Sequence, residues 1–225
     1  MYPRPAHQTK DISPLSYPLT PYKTVQIVQK APLDSISTGT TLYLSSQLLA
    51  HYLQETLPRG TNAIEVGAGT GLVSIALSQL GWKVYATDLL NVIEDVLSPN
   101  VSQNGGNIVV RELDWCKNNS EWNDSKGFNF DLIVCADGIY SMELLEPLIN
   151  TLKMLSGTSS PLIVMAFERR DGLVIENFFE SASRIGFKCK KANLRRILGR
   201  QIQRWGWTDD DWHSAEVWTM RFKGQ

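Results

Sequence analysis

Residues 23–29 alternate: Val25 and Ile27 point one way, Thr24 and Gln26 the other, which is the period of a strand. The period then lengthens. Leu48, Leu49, Tyr52 and Leu53 form one apolar stripe, Ser45 and Ser46 offer N-cap oxygens, and a helix is predicted over 47–57, ended by Pro58, Arg59 and Gly60. Further along, strands are expected over 63–66, 83–87, 107–113, 130–136 and 161–167. Helices are expected over 72–80, 98–104, 146–155 and 173–185. Gly81 stops the first of these, and Pro99 and Pro147 are read at first-turn positions, where a missing N–H is harmless. Such alternation implies a mostly parallel α/β sheet with helices on both faces. Residues 187–193 and 215–222 read as two last strands with no helix between them, hence an antiparallel edge. Upstream, Pro3, Pro5, Pro14, Pro18 and Pro21 exclude a regular helix or central strand. Residues 1–22 are therefore expected as an extended arm on a single domain spanning 23–225.

Composition narrows the class. The chain has 225 residues, 43% hydrophobic and 20% charged, which suits one folded domain rather than disorder. With 22 Lys+Arg against 23 Asp+Glu, it lacks the basic excess of a duplex-DNA binder. No apolar run approaches the roughly 18 residues of a membrane helix, and the first residues carry no apolar signal core. Cys116, Cys135 and Cys189 are too few and too scattered for a disulfide framework, so a reducing compartment is expected. His7, His51 and His213 sit at no ligand spacing with them, so no metal is expected. Glycosylation patterns at Asn100, Asn118 and Asn123 carry no weight without a signal peptide.

The candidate chemistry begins at Glu65-Val66-Gly67-Ala68-Gly69-Thr70-Gly71, between a strand and a helix. A backbone that must approach a ligand closely at a strand end needs residues without Cβ and with access to φ > 0. Asp88 ends the next strand, about 20 residues on, where an acid accepts hydrogen bonds from ribose hydroxyls. Position 72 is Leu, so the third glycine of a dinucleotide fingerprint is missing, and no Lys-Ser or Lys-Thr follows as in a P-loop. An acid beside the loop suits a cofactor that carries an amino acid in place of pyrophosphate.

These residues resemble the first motifs of seven-strand S-adenosylmethionine-dependent methyltransferases, whose sheet is Rossmann-like. Gly39-Thr40-Thr41-Leu42-Tyr43, Arg111-Glu112-Leu113-Asp114-Trp115, Ala136-Asp137-Gly138-Ile139-Tyr140 and Phe167-Glu168-Arg169 follow in order. Together they resemble the methyltransferase-like protein-lysine methyltransferases of eukaryotes. The resemblance implies an S-adenosyl-L-methionine site at Glu65, Gly67, Ala68, Gly69, Asp88, Trp115 and Ala136, with Tyr43 where the family usually has Trp. It also implies a protein substrate, such as a translation elongation factor or chaperone-type ATPase, and a cytoplasmic or nuclear monomer. Asp137 is expected to orient the acceptor amine, with Tyr140 lining its channel and Glu168 across from Asp137.

Other readings stay open at this stage. A nucleic-acid adenine methyltransferase would carry consecutive prolines between acid and aromatic; Gly138 and Ile139 stand there instead. An arginine or small-amine methyltransferase, or an inactive protein that only binds a partner, is not separated by sequence. The segment 195–213, with Arg195, Arg196, Arg200, Arg204 and Trp205, Trp207, Trp212, reads as a long connection. It is either a solvated loop with Trp folded back or a surface that grips a protein; the acids Asp209, Asp210 and Asp211 repel phosphate.

Overall fold

The computed structural model describes residues 2–30, 38–57, 60–122 and 128–223. The expected helix stop at Pro58 and Arg59 and the glycosylation pattern at Asn123 lie outside them.

Five parallel strands carry the expected core: β3 (Asn62–Val66), β4 (Lys83–Asp88), β5 (Ile108–Glu112), β6 (Leu132–Ala136) and β7 (Leu162–Glu168). With β8 (Phe187–Lys191) and β9 (Ala215–Phe222) they form a seven-stranded sheet in the order β5-β4-β3-β6-β7-β9-β8. The expected antiparallel edge is present: β9 runs antiparallel to both β7 and β8, which it separates. The central strands read as near-continuous apolar runs because both faces are covered. One face packs on α1 (Leu44–Thr56) and α2 (Leu72–Gln79), the other on α5 (Met142–Ser156) and α6 (Gly172–Arg184). Registers Val66↔Thr87, Glu65↔Val134 and Ala136↔Ala166 bring the residues after β3, β4, β6 and β7 to one carboxyl edge.

Several local expectations are corrected. Residues 1–22 are not simply an extended arm. Leu15–Thr20 is a strand, β1, paired antiparallel with β2 (Lys23–Ile27). Alternate apolar residues drive this: Leu15, Tyr17 and Leu19 are all buried against α1, and the Tyr17 hydroxyl meets His51 Nε2 at 2.9 Å. Pro18 is tolerated because this is a two-stranded ribbon without a central strand. Pro147 lies inside α5, not at its start; the helix begins at Met142. Nor does Ser98 start a helix. Helical backbone already runs through α3 (Leu90–Val92) and a π-helical turn, Ile93–Leu97, into α4 (Ser98–Asn104). The wide turn, closed by Ser98 N–H on the Ile93 carbonyl, precedes the proline that cannot donate.

The largest departure is the segment 195–213. It is no loop: α7 (Leu194–Trp205) crosses back over the α1 face, burying Leu194, Leu198 and Ile202. Asn193 caps it through Arg196 N–H, and Gly206 ends it in the left-handed region at φ 79°. Trp207 and Trp212 belong to the core, and Trp207 Nε1 donates to the Pro3 carbonyl at 2.8 Å, tying the two ends of the chain together. No helix among the described residues is long and apolar enough to cross a membrane.

Candidate active site

Three glycines shape the first wall. Gly67, Gly69 and Gly71 hold φ of 72°, 54° and 80°, so the chain turns sharply between β3 and α2. A Cβ on Gly69 would stand 2.8 Å from the Gly39 carbonyl oxygen, and one on Gly67 3.1 Å from the Trp115 ring. Close approach on both sides therefore requires glycine. Asp88, at the end of β4, fixes the loop: its Oδ2 accepts the Gly69 N–H at 2.8 Å and its Oδ1 the Leu89 N–H at 2.8 Å. Burial pushes its carboxyl up to about 6, against those two hydrogen bonds.

A cavity of about 400 Å³ opens at this carboxyl edge, a size suited to a small-molecule ligand. Of the expected site residues, Tyr43, Gly67, Ala68, Gly69, Asp88, Trp115, Ala136, Asp137 and Tyr140 line it. Glu65 and Glu168 do not. The Glu65 side chain turns beneath the loop, buried, and accepts a short hydrogen bond from the Ser74 hydroxyl of α2. Burial pushes its carboxyl up to about 8, with the nearby Asp88 charge adding to the shift. Glu65 thus braces the glycine loop from behind and is not among the residues that line this cavity.

Glu168 is screened by a residue that sequence reasoning missed. Arg170 lines the cavity and pairs through Nη2 with Asp137 Oδ2 at 2.9 Å and with Glu168 Oε1 at 2.7 Å. Asp137 itself holds φ 59°, rare for a residue other than glycine, with its N–H donated to the Ala166 carbonyl of β7 at 2.7 Å. This turn aims the carboxylate into the cavity. Burial raises its pKa while the Arg170 charge pulls it down, and burial is the larger effect. Tyr140, half exposed, hydrogen-bonds Thr38 and completes the open side. Asp114, an acid, is another missed lining residue; it lies just beyond β5, as Asp88 ends β4, and that parallel placement was the available signal.

The donor set bears on the ligand. Asp88 retains free lone pairs towards the cavity, suited to ribose hydroxyls, and Trp115 offers an aromatic wall. Arg170 is the one Lys or Arg among the described lining residues, and it is already paired with two carboxylates. A pyrophosphate would find no counter-charge. The residues fit a nucleoside that carries a cationic amino-acid part. Among the described residues no group of His, Cys, Asp and Glu is arranged to hold a metal.

Comparison with known proteins agrees in outline. A family model described as lysine methyltransferase matches residues 23–185. Protein-lysine methyltransferase METTL21E of Bos taurus is 34% identical over 189 residues, covering 74% of this chain and 65% of that protein. Protein-lysine N-methyltransferase rrg1 of Schizosaccharomyces pombe is 34% identical over 128 residues, covering 52% and 42%. The chain thus spans less than two thirds of the length of these relatives. A TehB-like SAM-dependent methyltransferase of Corynebacterium glutamicum superposes with TM-score 0.54 at 22% identity, over 79% of this chain and 88% of that one, a likeness of fold. The family model extends across the glycine loop, Asp88, Asp137 and Arg170 alike, and on that match the chain belongs to the lysine methyltransferase family.

Proposed function

We propose that this chain is an S-adenosyl-L-methionine-dependent protein-lysine N-methyltransferase that acts on another protein. The observation that carries the reading is the placement of two acids on one cavity: Asp88 against the glycine loop and Asp137 beside Arg170. When bound, S-adenosyl-L-methionine supplies an activated methyl group on a sulfonium. Gly67, Ala68 and Gly69 would approach it through backbone, Asp88 would take its ribose, and Trp115 would wall its base. Tyr43, on the family's usual Trp position, would pack its ring there. Its polar tip differs from an indole N–H, yet both present an aromatic face beside a donor.

Asp137 would accept hydrogen bonds from the incoming amine and, once the ammonium has given a proton to solvent, hold its lone pair in line with the methyl group, about 3 Å away. Positioning is then the main contribution, because the methyl donor needs no further activation. Tyr140 gives the acceptor an aromatic wall attractive to a cation. Glu168 holds Arg170 at the acceptor end of the cavity without itself lining it. We infer a cytoplasmic or nuclear monomer with one catalytic domain, and no role for nucleic acid or membrane.

Radiolabelled S-adenosyl-L-methionine incubated with the protein and a cell lysate tests this. A labelled protein band, with methyl-lysine identified by mass spectrometry, is expected. Label confined to nucleic acid or small molecules overturns the acceptor class, and absence of any transfer leaves a binding protein on a methyltransferase fold. Calorimetry should show binding of S-adenosyl-L-methionine and not of NAD; tighter NAD binding would sink the cofactor assignment.

A further inference from the structure

Both carboxylate contacts of Arg170 fall on one nitrogen, Nη2, at 2.9 Å from Asp137 and 2.7 Å from Glu168. A guanidinium usually meets carboxylates with its fork, spreading two nitrogens over two oxygens. Here the two acids converge on a point, which a compact ammonium with three donors satisfies equally well. The guanidinium carbon also stands 5.6 Å from the Tyr43 ring centre, so an aromatic face closes a further side of the cation.

Burial is uneven across this group. The Arg170 side chain is 48% exposed, against 10% for Asp137 and 22% for Glu168. The acids are the more buried partners, and the cation is the one that reaches solvent. Neighbouring Arg169 is held by Glu216 through Nε at 2.9 Å, so it does not take part. Arg170 therefore lines the cavity beside Asp137 and is held there by Glu168, which does not line it.

We propose that Arg170 is an exchangeable internal cation, filling the Asp137–Glu168 pair until the ammonium of the acceptor lysine displaces it. The inference deepens the lysine reading and rests on it. Exchange trades one cation for another, so two neighbouring, largely buried carboxylates are never left facing each other unpaired. It also supplies selectivity: a neutral side chain of similar length, such as Met or Gln, cannot displace a charge from two charges. Arg170 is in this sense a specificity residue that sets acceptor affinity through Asp137 and Glu168.

The probe is n-butylammonium, which reproduces the end of a lysine side chain, titrated by NMR with the full chain in S-adenosylhomocysteine. Removing the internal competitor with Arg170→Gln should tighten n-butylammonium binding at least about tenfold, the gain expected if Arg170 fills the site nine-tenths of the time. Arg170→Lys, which keeps a tethered cation, should bind the probe as weakly as wild type. Adding Asp137→Asn to Arg170→Gln should abolish the gain. Probe affinity in Arg170→Gln equal to or weaker than wild type overturns the proposal and makes Arg170 a fixed brace. Should Arg170→Gln not fold, wild type decides: saturating n-butylammonium must shift the Arg170 Nε–H resonance towards its solvent-exposed position, and an unmoved resonance overturns the exchange. Neither readout needs methyl transfer, so an inactive enzyme and an immovable Arg170 give different results.

Discussion

Asp137 holds its left-handed conformation, φ 59°, directly after a buried strand, and strain of this kind persists where the surroundings enforce it. That makes the choice of variant matter. Asp137→Ala would remove the short polar side chain that eases the left-handed conformation, a strain of up to roughly 1–2 kcal/mol added to any loss of function. Asn tolerates the same φ and keeps the shape. Asp137→Asn should therefore fold normally, bind S-adenosyl-L-methionine within about 1 kcal/mol of wild type, and lose methyl transfer by a factor on the order of 10². Wild-type turnover in this variant would reduce Asp137 to a turn residue. Glu65 yields a second test at this scale, on stability. Its carboxyl is raised from an ordinary value of 4.5 to about 8 in the folded protein. The folded state thus holds a proton that the unfolded state releases, so this contribution is full below pH 4.5 and is lost as pH rises through 8. Glu216 works in the opposite sense. Hydrogen bonds from Arg169, Lys191 and Trp218 outweigh its burial and hold it down at about 2, so its contribution is full above pH 4.5 and fades as pH falls towards 2. Replacing Glu65 with Gln keeps an acceptor for the Ser74 hydroxyl and removes the titration. Thermal unfolding followed from pH 5 to 8 should show wild type losing Tm relative to Glu65→Gln. Parallel curves would mean that Glu65 is charged throughout.

At the level of elements, α7 decides how the carboxy-terminal part is understood. Leu198 and Ile202 are fully buried against the α1 face, so Leu198→Ala should cost about 2–5 kcal/mol, the range for large-to-small core changes. Deleting residues 200–211 should abolish cooperative unfolding altogether, since Ile202 and Trp207 leave with the segment. Circular dichroism on the two variants checks both expectations; a folded deletion mutant with intact cofactor affinity would return the segment to the surface. The helix was hard to read because its apolar positions, Leu194, Leu198, Ile202 and Trp205, are thin among Arg and Gln. Their spacing of four, four and three is nonetheless helical, with Gly206 as the stop. Parallel strands were easier to recognise, since burial on both faces leaves apolar runs bounded by turns. Likewise the glycine loop, Asp88 and Asp137 were legible because each sits at a strand end with a backbone reason for its type. Arg170 was not. Nothing local marks it off from Arg169, and only the β7–β9 pairing sends Arg169 to Glu216 and leaves Arg170 to face Asp137. The placement of Glu65 was hidden for a related reason: alternation along β3 puts its side chain under the loop, which the motif alone does not show.

Across the whole molecule, the amino-terminal ribbon and the cofactor side of the sheet meet at one buried residue. Asn100, on α4, accepts the Val28 N–H at Oδ1 (2.7 Å) and donates from Nδ2 to the Val28 and Thr70 carbonyls, each at 3.0 Å. Val28 continues from β2, and Thr70 is in the glycine loop. Two residues beyond Val28, Lys30 N–H donates to the Thr40 carbonyl at 3.0 Å, in the turn whose Gly39 closes on Gly69. Asn104, one turn on, repeats the arrangement on the Gln26 backbone. The chain of contacts thus runs from the ribbon, through α4, to two walls of the cavity, although Asn100 lines none of it. Asn100→Ala would take this partner from one buried backbone group, the Thr70 carbonyl, and from two part-buried ones on Val28, and an unsatisfied buried group costs about 1–3 kcal/mol. Water reaching the gap would recover part of that. A loss of roughly 2–4 kcal/mol in unfolding free energy is expected. Because the lost contacts hold the glycine loop against the Gly39 turn, affinity for S-adenosyl-L-methionine should fall as well, by about tenfold, a factor worth about 1.4 kcal/mol. Asn104→Ala is the control: it releases the ribbon without touching Thr70, so it should destabilise the fold and leave cofactor affinity within a factor of about two. Denaturant unfolding and calorimetry on both variants separate the two effects. Equal cofactor affinities for the two variants would show that the ribbon stabilises the sheet without shaping the site.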